Sequence, residues 1–148
     1  MINRLLFAIL IGAVVGATAG LIVYWPSLSL FAQKNAQAAI GGSFTLVDTN
    51  GKQRTNKDFL GKPIFIFFGF TNCPDICPSG LQTLSITLKN IGTTSEKITP
   101  LFVTIDPERD TPQILRNYLA SFDPNIQGLT GSYEQIQQIV KAYRIYTK

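Results

Sequence analysis

The 148-residue chain has no histidine at all, and only two cysteines, one methionine and one tryptophan. A tetrahedral zinc site wants four ligands, so two cysteines without an imidazole would leave it half empty. Charge is also scarce, at 15% of residues. From residue 42 onward 11 Lys and Arg stand against 9 Asp and Glu. The basic side chains are scattered rather than gathered into a run or stripe, so nothing points to nucleic acid as a partner. Internal repeats and low-complexity segments are absent. No Arg-rich, Ser-rich leader precedes the first apolar run, which points to a bacterial rather than a mitochondrial setting.

Leu5 to Trp25 is an apolar stretch of 21 residues without a charge. As a helix it would be roughly 30 Å long, about the hydrocarbon thickness of a bilayer. Arg4 and the chain amine precede it and Lys34 is the next charge, a bias that favours a cytoplasmic amino terminus and an exported remainder. Ala36-Gln37-Ala38 resembles a signal-cleavage site, but the apolar run is longer than a signal core and ends well before it. The expectation is therefore an uncleaved single-pass anchor in the inner membrane, with the soluble part in the periplasm. Gly12, Gly16 and Gly20 would offer a helix-pairing face. The expected organisation is a cytoplasmic stub and anchor over 1–25, a linker over 26–41 and an α/β domain over 42–148.

Within the domain, Phe44 and Leu46 alternate with polar residues up to Asp48, and Asn50-Gly51 predicts a tight hairpin turn. Ile64-Phe65-Ile66-Phe67-Phe68 reads as a strand buried on both faces, at the centre of a mostly parallel sheet. Pro78 suits a first helical turn, and Leu81, Leu84, Leu88 and Ile91 follow at helical spacing. A second strand is expected over roughly Thr99 to Ile105. Asp110-Thr111-Pro112 starts a helix with Ile114, Leu115, Tyr118, Leu119 and Phe122 on its apolar stripe. Gly128 and Gly131 bracket a turn, and Ser132 with Gln135 forms a capping box before Ile136, Ile139, Val140 and Tyr143. This gives a thin sheet of one hairpin and two parallel strands. The edge beyond Thr99 to Ile105 would then be unpaired and the last helix only partly covered.

Cys73 and Cys77 lie in FTNCPDICPSG, between the buried strand and the next helix, at the sheet edge where α/β folds place their sites. Cys77 is beside the helix start, whose partial positive charge favours thiolate over thiol. Three residues separate the pair instead of the two of thioredoxin-type redox motifs. The wider loop lets two sulfurs converge on a soft cation such as Cu(I), and it can still close to a disulfide. Copper clamp, redox pair and structural staple all remain open on spacing alone.

GKPIFIFFGFTNCPDICPSGLQTL, VTIDPERDTPQILRNYLASF and GLTGS together resemble the Sco (SenC) proteins, over about Gly42 to Tyr146. The resemblance implies a membrane-anchored, thioredoxin-fold copper chaperone, with Cys73 and Cys77 as copper ligands. It implies service to the copper A centre of cytochrome c oxidase, by copper delivery, thiol reduction or both. The implied partners are the oxidase subunit carrying that centre, other copper chaperones and thiol reductants. The family's third ligand, a histidine on a hairpin near the carboxyl end, has no counterpart in this sequence. The expected fold is thus a thioredoxin-like one shortened at its carboxyl end, and the copper assignment rests on two ligands.

Asp106, Glu108, Arg109 and Asp110 follow the second parallel strand and should share the cysteines' edge. Arg109 could stabilise a thiolate, and the acids could form a docking surface or a weak oxygen ligand. Equally, Asp110 could cap the next helix while Arg109 pairs with a nearby acid. Asp75 reads as a solvated loop residue that keeps the site acidic, with direct metal contact as the alternative.

Overall fold

The hairpin forms where Asn50-Gly51 predicts it, between β1 (Thr45–Asp48) and β2 (Gln53–Thr55). Gly51 has φ +78°, a conformation that costs glycine nothing. The Asp48 carboxylate fixes the turn by accepting from the backbone N–H groups of Asn50 and Lys52, at 2.9 and 3.0 Å. These features belong to a computed structural model that describes residues 40–146. The expected anchor at Leu5–Trp25 lies outside the described residues. Among those described, no helix is long and apolar enough to cross a membrane.

After the hairpin come β3 (Ile64–Gly69), α1 (Ile76–Asn90), β4 (Thr99–Thr104), α2 (Pro112–Leu119), β5 (Gln127–Thr130) and α3 (Tyr133–Ala142). The five strands among the described residues lie in the order β2-β1-β5-β4-β3. β3, β4 and β5 are parallel, and β1 joins β5 and β2 antiparallel.

Three expectations are corrected by this topology. β3 lies at the edge of the sheet rather than at its centre, and Phe65 is 47% exposed. β4 is paired on both sides, so the unpaired edge predicted beyond Thr99 to Ile105 does not exist. The reason is β5: the segment around Gly128 is a strand and not a turn, which makes three parallel strands instead of two. Leu119 and Leu115 side chains would come within 2.6 and 2.9 Å of a Cβ at Gly128, so only glycine lets α2 pack this closely on β5.

Side chains alternate across β4, and the two faces carry separate cores. Leu101 and Val103 face Phe44, Leu46, Phe59 and Leu129 together with Ile136, Ile139 and Val140 of α3. Phe102 faces the other way, into Leu81 and Leu88 of α1 and Leu115 and Leu119 of α2. The α3 stripe is better covered than expected, with Ile136 and Ile139 at 0% exposure, Val140 buried and Tyr143 half-buried. Its capping box forms as read: Ser132 Oγ accepts from Gln135 N–H, and Gln135 Oε1 accepts from Ser132 N–H. On α2, Thr111 is the cap and Pro112 the first helical residue, while Ile114 faces solvent.

Candidate metal and thiol site

β3 ends at Gly69, and Phe70 to Asp75 lead into α1 at the carboxyl edge of the sheet. Helix α1 begins at Ile76, so Cys77 is inside its first turn and Cys73 precedes it. Asp75, at the N-cap position, makes no side-chain cap to the helix backbone; its carboxylate accepts from Ser79 Oγ at 3.2 Å. The sulfur of Cys73 takes the capping role, accepting the backbone N–H of Cys77 at 3.4 Å.

This arrangement makes the two thiols unequal. Hydrogen bonds from the Cys77 backbone first, then from its side chain, and from the Asp75 and Ile76 backbones, lower the Cys73 pKa. Burial pushes the Cys77 thiol up. A backbone hydrogen bond from Phe70 opposes the rise, and Cys73 and the charge of Asp110 add to it. The thiolate-favouring position at the helix start therefore belongs to Cys73, half-buried, and not to Cys77 as the sequence suggests; Cys77 is only 6% exposed. Both cysteines are free thiols. Gly69 makes room for the buried sulfur: a Cβ there would meet Cys77 Sγ at 3.0 Å and the Phe102 ring at 3.0 Å.

Asp110 is brought to the same edge but does not cap α2, a task that Thr111 performs. It is fully buried and clamps three segments together. Its carboxylate accepts from Thr71 N–H at 3.0 Å and Thr71 Oγ1 at 2.5 Å, in the cysteine loop. It also accepts from Thr104 Oγ1 at 2.6 Å at the end of β4, while Thr130 Oγ1 of β5 donates to the Asp110 carbonyl at 2.8 Å. Asp106 and Arg109 pair locally, with Arg109 Nε donating to Asp106 Oδ2 at 2.5 Å. Arg109 is thus engaged with a neighbouring acid, and Glu108 is exposed. The residue that sequence reasoning missed here is Tyr118, read only as part of an apolar stripe. Its hydroxyl is buried without a hydrogen-bond partner, and no local pattern signals this.

Among the described residues no group of three or more His, Cys, Asp or Glu side chains converges on one point. The donors that do meet are two sulfurs, one with its thiolate favoured by backbone N–H groups. That set fits a soft monovalent cation of low coordination number and does not fit zinc.

Known proteins resemble this chain in sequence and in fold. The SCO1/SenC family pattern matches residues 32–148. The human mitochondrial protein SCO1 homolog is 45% identical over 109 residues, covering 72% of this chain and 36% of its own. Fission-yeast sco1 is 46% identical over 108 residues, covering 72% of this chain and 41% of its own. The chain therefore spans well under half the length of these curated relatives. The copper-bound structure of Bradyrhizobium japonicum ScoI superposes with a TM-score of 0.72 at 48% identity, covering 74% of this chain and 70% of that one. The α/β fold is the thioredoxin-like fold of Sco proteins, and the chain belongs to the SCO1/SenC family.

Proposed function

We propose that this domain carries copper on Cys73 and Cys77 and serves the copper A centre of cytochrome c oxidase during its assembly. The observation that carries the reading is the pair of free thiols at the start of α1, with Cys73 Sγ accepting the Cys77 N–H. Backbone N–H groups aimed at a sulfur favour its anionic form, and thiolate is the form that binds soft metals. Copper is the cargo here: it arrives on the two sulfurs and leaves by ligand exchange to donors on the acceptor, with no net electron transfer. The partner is the oxidase subunit bearing the copper A centre, with other copper chaperones or thiol reductants upstream. The stretch over 5–25 tethers the domain to the inner membrane, facing the periplasm. The test is a Cu(I) titration of the reduced protein against a competing chelator, beside a Cys73→Ser, Cys77→Ser variant. One Cu(I) per chain, lost in the variant, is expected; equal uptake by both proteins would end the reading.

The inequality of the thiols favours a second use of the same site, as a thiol-disulfide oxidoreductase. Cys73, the more exposed and more acidic thiol, attacks a partner disulfide and releases one partner thiolate. Cys77 then attacks the mixed disulfide at Cys73, closing a Cys73–Cys77 bridge and releasing the second partner thiol. Two electrons and two protons pass from the domain to the partner.

A further inference from the structure

Ile76 is an exposed apolar residue that the rules of helix formation do not explain. It opens α1, between the two cysteines, and is 76% exposed. Exposed first-turn positions favour acids, which meet the positive end of the helix, yet no acid lies in this turn. A β-branched apolar side chain gains nothing there from the helix, and Ile76 packs on neither core cluster. Pro74 is exposed as well, so half-buried Cys73 is followed by three exposed residues, Pro74, Asp75 and Ile76. Single exposed apolar side chains elsewhere, such as Ile86 on the same helix, are ordinary surface. Ile76 differs in its place. Its own backbone N–H is among those turned toward the Cys73 sulfur. A surface that brings a sulfur within bonding distance of Cys73 therefore comes down on Ile76.

The charge around this point selects the partner. The loops after β3 and β4 are tied together by the Asp110 carboxylate, which accepts from Thr71 N–H and Thr71 Oγ1. Residues 70–80 and 104–110 hold Asp75, Asp106, Glu108 and Asp110, with Arg109 as their one base. Asp110 is buried and Asp106 is held by Arg109. Asp75 and Glu108 are left exposed, with no ion pair among the described residues. From residue 42 onward bases outnumber acids, so the acidity is a property of this edge and not of the whole domain.

We propose that Ile76, with Pro74, is the apolar contact on which a partner protein docks, and that Asp75 and Glu108 select a partner carrying Lys or Arg beside its own sulfur. The contact is small, which suits a carrier that must let go: weak redox encounters bury less than about 1,200 Å². Apolar burial sets how long the pair stays together, and opposite charge sets how fast it meets. A second copy of this chain would bring acid against acid, so self-association is not the use of this face. The inference deepens the reading of Cys73 and Cys77 as an exchange site and rests on it.

The probes are blocked peptide disulfides of leucine–cysteine–lysine, glycine–cysteine–lysine and leucine–cysteine–glutamate, beside hydroxyethyl disulfide. Each is mixed with the reduced full chain, and the release of two probe thiols as the Cys73–Cys77 bridge closes is followed in time. Rates are divided by that for hydroxyethyl disulfide, which cancels changes in the thiols themselves, and each probe's own reactivity is removed with dithiothreitol. The expected result is about a fivefold preference for leucine over glycine. Lysine is preferred over glutamate by about threefold at low salt, and molar salt erases that gap. Ile76→Ser abolishes the leucine preference, Ile76→Leu keeps it, and Ile86→Ser leaves both preferences in place. Asp75→Asn with Glu108→Gln abolishes the lysine preference. Equal rates for the three peptides, or a leucine preference that survives Ile76→Ser, overturn the proposal while the exchange reading stands. No reaction even with hydroxyethyl disulfide overturns the exchange reading, and this inference with it.

Discussion

Replacing Asp110 by asparagine tests how the cysteine loop is held to the sheet. The Asp110 carboxylate accepts three hydrogen bonds: Thr71 N–H and Thr104 Oγ1 share Oδ2, and Thr71 Oγ1 meets Oδ1. In asparagine one oxygen becomes a donor. The best orientation keeps the oxygen at the Oδ2 position, so two bonds survive without charge assistance, and Thr71 must rotate its hydroxyl to accept instead of donate. Hydrogen bonds to charged groups are worth roughly 1.5–3 kcal/mol against about 1 for neutral ones. The combined loss is then about 3 kcal/mol. A domain of this size has only about 5–15 kcal/mol in total. With an m-value of about 1.5 kcal/mol per M, the urea midpoint falls by about 2 M. The same change removes a negative charge that raises the Cys77 pKa, so Cys77 should alkylate faster at a given pH even as the fold weakens. Urea unfolding by circular dichroism gives the first number and mass-resolved alkylation the second. A midpoint moved by less than about 0.4 M would refute the clamp.

Other expectations follow from the same geometry. The Cys73 pKa is lowered and that of Cys77 raised, so as pH rises from acid Cys73 must form thiolate first. Brief iodoacetamide treatment near neutrality should label Cys73 well ahead of Cys77, and peptide mass spectrometry showing the reverse order would contradict the assignment. β3 is an edge strand of apolar sequence with Phe65 47% exposed, a surface that invites strand pairing. Phe65→Lys should reduce self-association in sedimentation velocity with little loss of stability, and an unchanged sedimentation profile would show that this edge is not used.

Much of this could be read from the sequence because local rules happened to be obeyed. Asn50-Gly51 turns the hairpin, Pro112 opens α2 and Ser132 with Gln135 caps α3, each through contacts within a few residues. The cysteines could be placed for the same reason, since a strand, a short loop and a helix follow one another directly. What failed depended on distant partners. β3 was expected at the centre because its side chains are apolar on both sides, but side chains report the faces of a sheet and not its edges. Ile64, Ile66 and Phe68 pack on one core and Phe67 on the other even though one backbone edge is unpaired by any described strand. β5 is four residues with a central glycine, too short for periodicity to register, and its glycine is required by α2 rather than by a turn. Asp110 sits next to the true cap in sequence, and its partners Thr71 and Thr104 come from other segments.

The sulfur of Cys73 closes the first turn of α1 and is also the atom that would grip a metal or a partner's sulfur. A cysteine sulfur carries more than one lone pair, so it can keep the Cys77 N–H while another lone pair meets a soft cation or a partner's sulfur. Loading the site therefore need not open the helix. The donor atom is held in place before anything binds, and little ordering of the chain is left for binding to cost.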